Sequence, residues 1–197
     1  MAKRALDLIL TLLAAPVVIP VVALVAVALA IDLRGNPFFL QKRIGRRGRP
    51  FTMYKLRTMR HAAPGEAHTY KIDDWTTYVF SPPGERDPRL TRLGQWLRAK
   101  SIDELPNLLN VLKGEMSLVG PRPELPEIVA QYPPHYHRRH NVLPGIAGLA
   151  QVSGRSDLTY DEIASYDLEY VDHHSVLSDI HILWRTFSVV LRGKGAR

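Results

Sequence analysis

Two adjacent carboxylates, Asp103 and Glu104, stand out because of the cations on either side of them. Arg98 and Lys100 lie just upstream, Arg122 sits in the rigid turn Gly120-Pro121-Arg122-Pro123, and Arg155 follows Gly154. The acids alone have a simpler reading. Ser101 with Glu104 three residues later matches a capping box, and acids in a first helical turn suit the helix dipole. A cap needs no surrounding arginines, but diphosphate chemistry does. A carboxylate attacking a phosphorus already ringed by negative oxygens meets repulsion that arginine, lysine or a divalent cation must offset. Arginine suits this because its planar fork binds phosphate oxygens in pairs. A carboxylate opening a helix stays ionised at neutral pH, and the same positive end attracts phosphate. Asp103 is therefore the candidate nucleophile. Glu104 is the candidate magnesium ligand, since Mg2+ binds through one or two carboxylates plus substrate phosphates, without a protein cage.

The elements that must position these groups follow from periodicity. Apolar residues at 102, 105, 108, 109 and 112 predict a helix over 102–113 that Asp103 and Glu104 open. Further helices are predicted at about 90–100, 123–132, 159–171 and 178–192. Residues 38–60 read as a strand, a basic turn around Gly45 and Gly48, and a second strand near Phe51–Met59 carrying Lys55 and Arg57. From His61 to Arg89 the composition turns polar and rich in proline and glycine, a long loop or insertion. The last helix carries Ile180, Leu183, Trp184, Phe187, Val190 and Leu191 on one broad stripe, which suits either a core or a membrane interface.

Everything is preceded by an apolar segment. From Leu8 to Ile31 only Thr11 is polar, about 24 uncharged residues against the roughly 20 that a spanning helix needs. A buried soluble helix and a cleaved signal peptide are the competing readings, the first too apolar on every face and the second too long in its apolar part. A single crossing would put Lys3 and Arg4 on one side and the basic cluster Arg34–Arg49 on the other, which frustrates the positive-inside rule. Pro16 and Pro20, four apart near the middle, each remove a backbone donor. A helix that enters, breaks and returns satisfies both facts, and a kinked span is the alternative.

Composition narrows the function classes. The absence of cysteine excludes thiolate catalysis, disulfides and cysteine-ligated zinc. Eight histidines occur without His-Glu-x-x-His spacing, so His135, His137, His140, His173 and His174 read as surface or interface residues. A net charge of +7 and a pI near 9.8 point to a polyanionic partner: nucleic acid, anionic lipid or a phosphorylated substrate. Arg43, Arg46, Arg47 and Arg49, close to the apolar segment, favour lipid at roughly 1 kcal/mol each.

These residues together resemble the bacterial sugar transferases, the monotopic polyprenyl-phosphate phosphoglycosyl transferases, over nearly the whole chain. The resemblance rests on Lys3-Arg4 with Asp7, Tyr54-Lys55-Leu56-Arg57-Thr58-Met59, Ile102-Asp103-Glu104-Leu105-Pro106 through Asn110-Val111-Leu112-Lys113-Gly114, and Met116 through Glu124. It continues with Pro144-Gly145-Ile146, Ala150-Gln151-Val152-Ser153-Gly154-Arg155, Asp167, Tyr170-Val171, Ser175 and Asp179. It implies an α/β, mostly helical fold: a re-entrant membrane helix over 1–35, a small catalytic domain over 36–197 on the cytosolic face of the bacterial inner membrane, and interfacial helices. It implies that Asp103 attacks a UDP-sugar, releases UMP and passes the phospho-sugar to polyprenyl phosphate, the first membrane step of a glycan or exopolysaccharide. Asp103 and Glu104 would serve Mg2+, while Lys55, Arg57, Arg98, Arg122, Arg155 and Asp167 would bind substrate. The implied partners are the UDP-sugar, polyprenyl phosphate and membrane lipids, with no nucleic acid; a homo-oligomer is one option left open. The sequence departs from the family at Ile19-Pro20, where a serine typically precedes the proline, and Pro16 is expected to sustain the bend. A membrane-anchored polyanion-binding or scaffold protein without catalysis is the alternative function.

Overall fold

The computed structural model describes residues 2–60, 71–79, 87–154 and 158–192, with side chains through 190. The chain is mostly helical with two small sheets. Helix α1 runs Ala2–Leu33, strands β1 (Phe38–Ile44) and β2 (Pro50–Leu56) form an antiparallel hairpin, and α2 spans Arg92–Ala99. A 3-10 turn, Ile102–Asn107, leads into α3 (Leu108–Lys113). Strand β3 (Ser117–Val119) pairs in parallel with β4 (Gly145–Ala147), and between them lie α4 (Pro126–Val129) and a 3-10 segment, Pro134–Asn141. Helices α5 (Leu149–Ser153), α6 (Tyr160–His173) and α7 (Val176–Arg192) complete the order.

Helix α1 runs from Ala2 to Leu33 with Pro16 and Pro20 inside it. The two prolines leave the carbonyls of Leu12 and Pro16 without their usual donors, yet the helical backbone continues through both. Its two ends dock on one body. At the start, Lys3 donates to Asp179 (2.6 Å), the Tyr170 hydroxyl and the Val119 carbonyl (both 3.0 Å). Arg4 caps α3 through the carbonyls of Val111 and Leu112, and Asp7 accepts from the Ser117 hydroxyl and the Leu118 N–H. At the finish, Ala26 and Leu29 are buried against Leu56 and Leu97. Between Leu12 and Pro20 no residue is buried, and Leu13, Val17 and Ile19 are exposed. The helix thus leaves the body in its middle and rejoins it. By length and composition α1 qualifies to cross or enter a membrane.

The hairpin carries the basic turn at its tip, where Arg47 and Gly48 take positive φ and Arg46, Arg47 and Arg49 point to solvent. Asn110 of α3 binds the hairpin to the 3-10 turn region: its side chain donates to the Thr52 carbonyl and accepts from the Tyr54 N–H. Phe51 and Met53 pack on Val111 and Met116 behind it. The parallel pair β3–β4 depends on glycine, because a Cβ on Gly145 would lie 2.1 Å from the Gly120 nitrogen. That close approach sets the turn bearing Arg122. The predicted helix over 123–132 shrinks to the four residues Pro126–Val129, followed by a second proline pair at 133–134.

Helix α7 buries Ile182 against Val119, Ala147 and Tyr170. Its outer face leaves Leu177, Trp184 and Phe187 exposed, so the stripe read from the sequence serves both a core and an open surface. The expected loop over 61–89 lies partly outside the described residues. The stretch 71–79 is not a free loop: Trp75 packs edge-on against Tyr132, Tyr136 and Tyr160, and its carbonyl accepts from the Asp161 N–H.

Candidate active site

The dyad is presented by an unusual corner. Helix α2 ends at Ala99, and Ser101 adopts φ +53°, a left-handed conformation rare outside glycine. The chain then turns tightly into Ile102–Asn107. The capping-box reading fails here, because the Ser101 side chain makes no cap hydrogen bond and Glu104 points elsewhere. A capping box does form in this chain, at Thr159 with Glu162. What α2 rests on is equally specific: a Cβ on Gly94 would meet the Thr58 carbonyl at 2.1 Å, so the helix lies directly on the backbone after β2.

Glu104 is the hub. One of its oxygens, Oε1, accepts from Lys55 Nζ and from Arg122 Nη2, both at 2.8 Å. Burial alone would raise this carboxyl, but Arg122 and Lys55 outweigh it and hold Glu104 well below the usual carboxylate range. Glu104 in turn pushes the Arg122 guanidinium above its ordinary value. Lys55 is shifted the other way: burial lowers it, with Arg122 adding to the effect against the pull of Glu104.

Asp103 is 8% exposed and, among the described residues, its side chain takes part in no hydrogen bond or ion pair. Burial and then the neighbouring Glu104 raise its pKa, while Lys55, Arg98 and Arg122 act to lower it. The two acids of the pair are therefore driven apart. Glu104 is a fixed anion locked to two cations, and Asp103 is a poorly solvated carboxylate whose oxygens are claimed by none of the described residues.

Of the basic residues expected here, the structure brings Lys55, Arg98 and Arg122 to the dyad. Arg57 goes elsewhere; its guanidinium lies beside Gly35, where α1 returns to the body. Arg155 lies outside the described residues. Asp167 is not in the dyad's bonding network but in a buried cluster behind it, 2% exposed and paired with Arg139. Arg139 also donates to the hydroxyls of Tyr132 and Tyr160 and, at 3.0 Å, to the carbonyl of Arg122. Arg43 holds the same turn from the other side, donating to the Pro123 carbonyl at 3.1 Å and pairing with Glu124 at 3.5 Å. Arg139 is the residue that sequence reasoning missed. Its neighbours Tyr132, Tyr136 and His140 were the only signal, and aromatic residues spaced around an arginine do mark a buried cation.

No group of three or more histidines or acids is clustered among the described residues, so a protein-built metal cage is absent there. The donor set does suit a hard cation shared with a phosphate. Glu104 Oε2 and the Asp103 oxygens accept no hydrogen bond from the described residues, and both are carboxylate donors.

The corner thus presents, near a long apolar helix, one carboxylate locked to two cations and one without a hydrogen bond among the described residues. The chain belongs to the bacterial sugar transferase family, whose sequence signature matches residues 1–193. It is similar to the galactosyl transferase CpsE of Streptococcus agalactiae serotype III, 40% identical over an alignment that covers 100% of this chain and 43% of that protein. It is also similar to the undecaprenyl-phosphate glucose phosphotransferase of Komagataeibacter xylinus, 40% identical over 93% of this chain and 35% of that protein. The chain thus spans only about two fifths of the length of these two. The exopolysaccharide production protein ExoY of Rhizobium meliloti is 33% identical over 100% of this chain and 88% of its own length.

Proposed function

We propose that this chain transfers a phospho-sugar from a UDP-sugar to a polyprenyl phosphate in two steps through Asp103. The observation that carries the reading is the asymmetry of the dyad: Glu104 is held by Lys55 and Arg122, while Asp103 is buried without a hydrogen bond among the described residues. In the first step an Asp103 oxygen attacks the β-phosphorus of the donor. The bond from that phosphorus to the bridging oxygen breaks, UMP leaves with the electron pair, and the phospho-sugar remains as an acyl phosphate on Asp103. In the second step an oxygen of the lipid phosphate attacks the same phosphorus, and the Asp103 carboxylate is released. Lys55, Arg98 and Arg122 offset the repulsion between carboxylate and diphosphate, an electrostatic contribution worth several kcal/mol in a site shielded from water. A Mg2+ ion, held by Glu104 with Asp103 and substrate oxygens, would supply further charge neutralisation of the diphosphate.

The accepting lipid is supported by the relative named for undecaprenyl phosphate and by α1. For α1 we propose a monotopic placement on the cytosolic face of the bacterial inner membrane. Its support is that both ends rest on one body while the exposed middle carries the prolines. A straight helix of this length extends roughly 48 Å at 1.5 Å per residue, which would carry one end far from the docking surface of the other if it crossed the bilayer. Accessibility labelling of the two ends should find both on the same side, and ends on opposite sides would overturn the placement.

The chemistry is tested by incubating the full chain in lipid nanodiscs with a panel of UDP-glucose, UDP-galactose and UDP-N-acetylgalactosamine, without acceptor. UMP is expected in an amount close to one per chain, with a phospho-sugar adduct on Asp103 seen by mass spectrometry. An adduct at another residue, or UMP release that requires both substrates, refutes the two-step reading.

A further inference from the structure

Beside the dyad, the 3-10 turn, α5, α7 and the β3–β4 pair enclose a cavity of about 160 Å³. Ser101, Glu104, Gln151 and Thr186 supply its polar lining, and the rest of its walls are aliphatic, among them Leu105, Leu118, Val152 and Leu183. This is smaller than a pocket for a complete ligand, which runs to roughly 300–1,000 Å³, so it suits one end of a larger molecule. Helix α7 is the wall that relates it to the membrane. Leu183 and Val189 face the cavity, while Leu177, Trp184 and Phe187 on the same helix are 79%, 70% and 58% exposed. An apolar helix face left open in a chain that also carries α1 suits contact with lipid.

We propose that this cavity receives the first isoprene units of the polyprenyl-phosphate acceptor, so that its phosphate lies at Asp103 and Glu104. The inference rests on the two-step transfer proposed above and adds the place where the lipid is read. The occupant must join an apolar tail to an anionic head, because aliphatic walls lead directly to the carboxylate that Lys55 and Arg122 hold. A nucleobase fits these walls less well, because Gln151 and Thr186 could meet only part of its ring donors and acceptors and the rest would face leucine and valine unpaired. An isoprene unit instead gains from every aliphatic contact.

The test separates the two half-reactions in the full chain. Leu183→Trp fills the cavity, and Val152→Leu fills it more gently should the larger side chain disturb folding. For each variant two quantities are measured in nanodiscs: the UMP burst with UDP-sugar alone, and phospho-sugar transfer against the concentration of undecaprenyl phosphate, with methyl phosphate as a tail-less acceptor. The burst is expected to stay within twofold of wild type. The KM for undecaprenyl phosphate should rise tenfold or more in Leu183→Trp and severalfold in Val152→Leu, with transfer to methyl phosphate unchanged. A burst that falls together with transfer assigns the cavity to the donor and overturns the proposal, as does an unchanged KM in both variants. A wild-type chain that gives no burst overturns the two-step reading itself, and this site with it.

Discussion

Two buried carboxylate clusters lie back to back in this molecule, and they are built on opposite plans. Around Asp167 everything is closed: Arg139 pairs with the acid, donates to two tyrosine hydroxyls and reaches the Arg122 carbonyl. Around Glu104 the closure is deliberately incomplete. Two cations bind Glu104 and, among the described residues, none bonds to Asp103, which stands beside it. The first arrangement holds a chain in place, and the second leaves an anion to react. They meet in one residue, since Arg122 is held through its backbone by the closed cluster and offers its guanidinium to the open one. In the transfer proposed, the rate would therefore depend on the closed cluster through the turn that bears Arg122.

The largest expected effect tests the open cluster. Asp103→Asn should reduce UMP release by about 10⁴-fold or more, the scale on which a lost nucleophile acts. Because burial and Glu104 work against the charge of Asp103, the same change should leave stability unaltered or raise it by about 1 kcal/mol, measured by urea unfolding. A loss of both activity and stability would place Asp103 in the structural class. Next, Arg122→Met should lower the first-step rate about 10²–10³-fold while the fold persists.

Arg139→Met reverses that pattern. It strands Asp167 in the interior and should cost about 3–5 kcal/mol of stability, with activity falling because the Arg122 turn loosens. An Arg139→Met protein as stable as wild type would show that the closed cluster is not structural. Smaller still is Gly145→Ala, whose methyl has no room against Gly120 and should lower stability by about 1–3 kcal/mol.

The mildest test is pH. A raised pKa means that Asp103 takes up its proton, and ceases to be a nucleophile, at a higher pH than an ordinary aspartate near 3.9. The acid limb of single-turnover UMP release should therefore lie above that value. Asp167 is raised to about 6 by burial, against the pull of Arg139, so stability should fall as pH rises from about 4 to 6, and Asp167→Asn should remove that slope.

Much of this was legible in the sequence because it is local or motif-bound. The hairpin with its basic turn, α2, α6 and α7 follow from period and turn residues, Arg98 and Arg122 stand close to the acids in sequence or in a rigid turn, and Lys55 comes from the family resemblance. What was not legible depends on distant contacts. No local pattern pairs Asp167, expected to bind substrate, with Arg139, or brings Arg57 beside Gly35 at the end of α1. Ser101 followed by Glu104 reads as a cap because no local rule foresees the left-handed turn at Ser101. In α1 the prolines were rightly seen as weak points, but whether a helix breaks or carries on through them depends on what holds its ends.

The double anchorage of α1 has a mechanical consequence. A helix pinned at Lys3 by Asp179 and at Leu29 by Leu56 and Leu97 cannot slide along its own axis. In the placement proposed, it works as a plug of fixed draught: the body floats at one height above a single leaflet, whatever lies beneath. Turnover should then be indifferent to acyl-chain length in the host bilayer, where a protein that reaches both surfaces would have to tilt or stretch to match it.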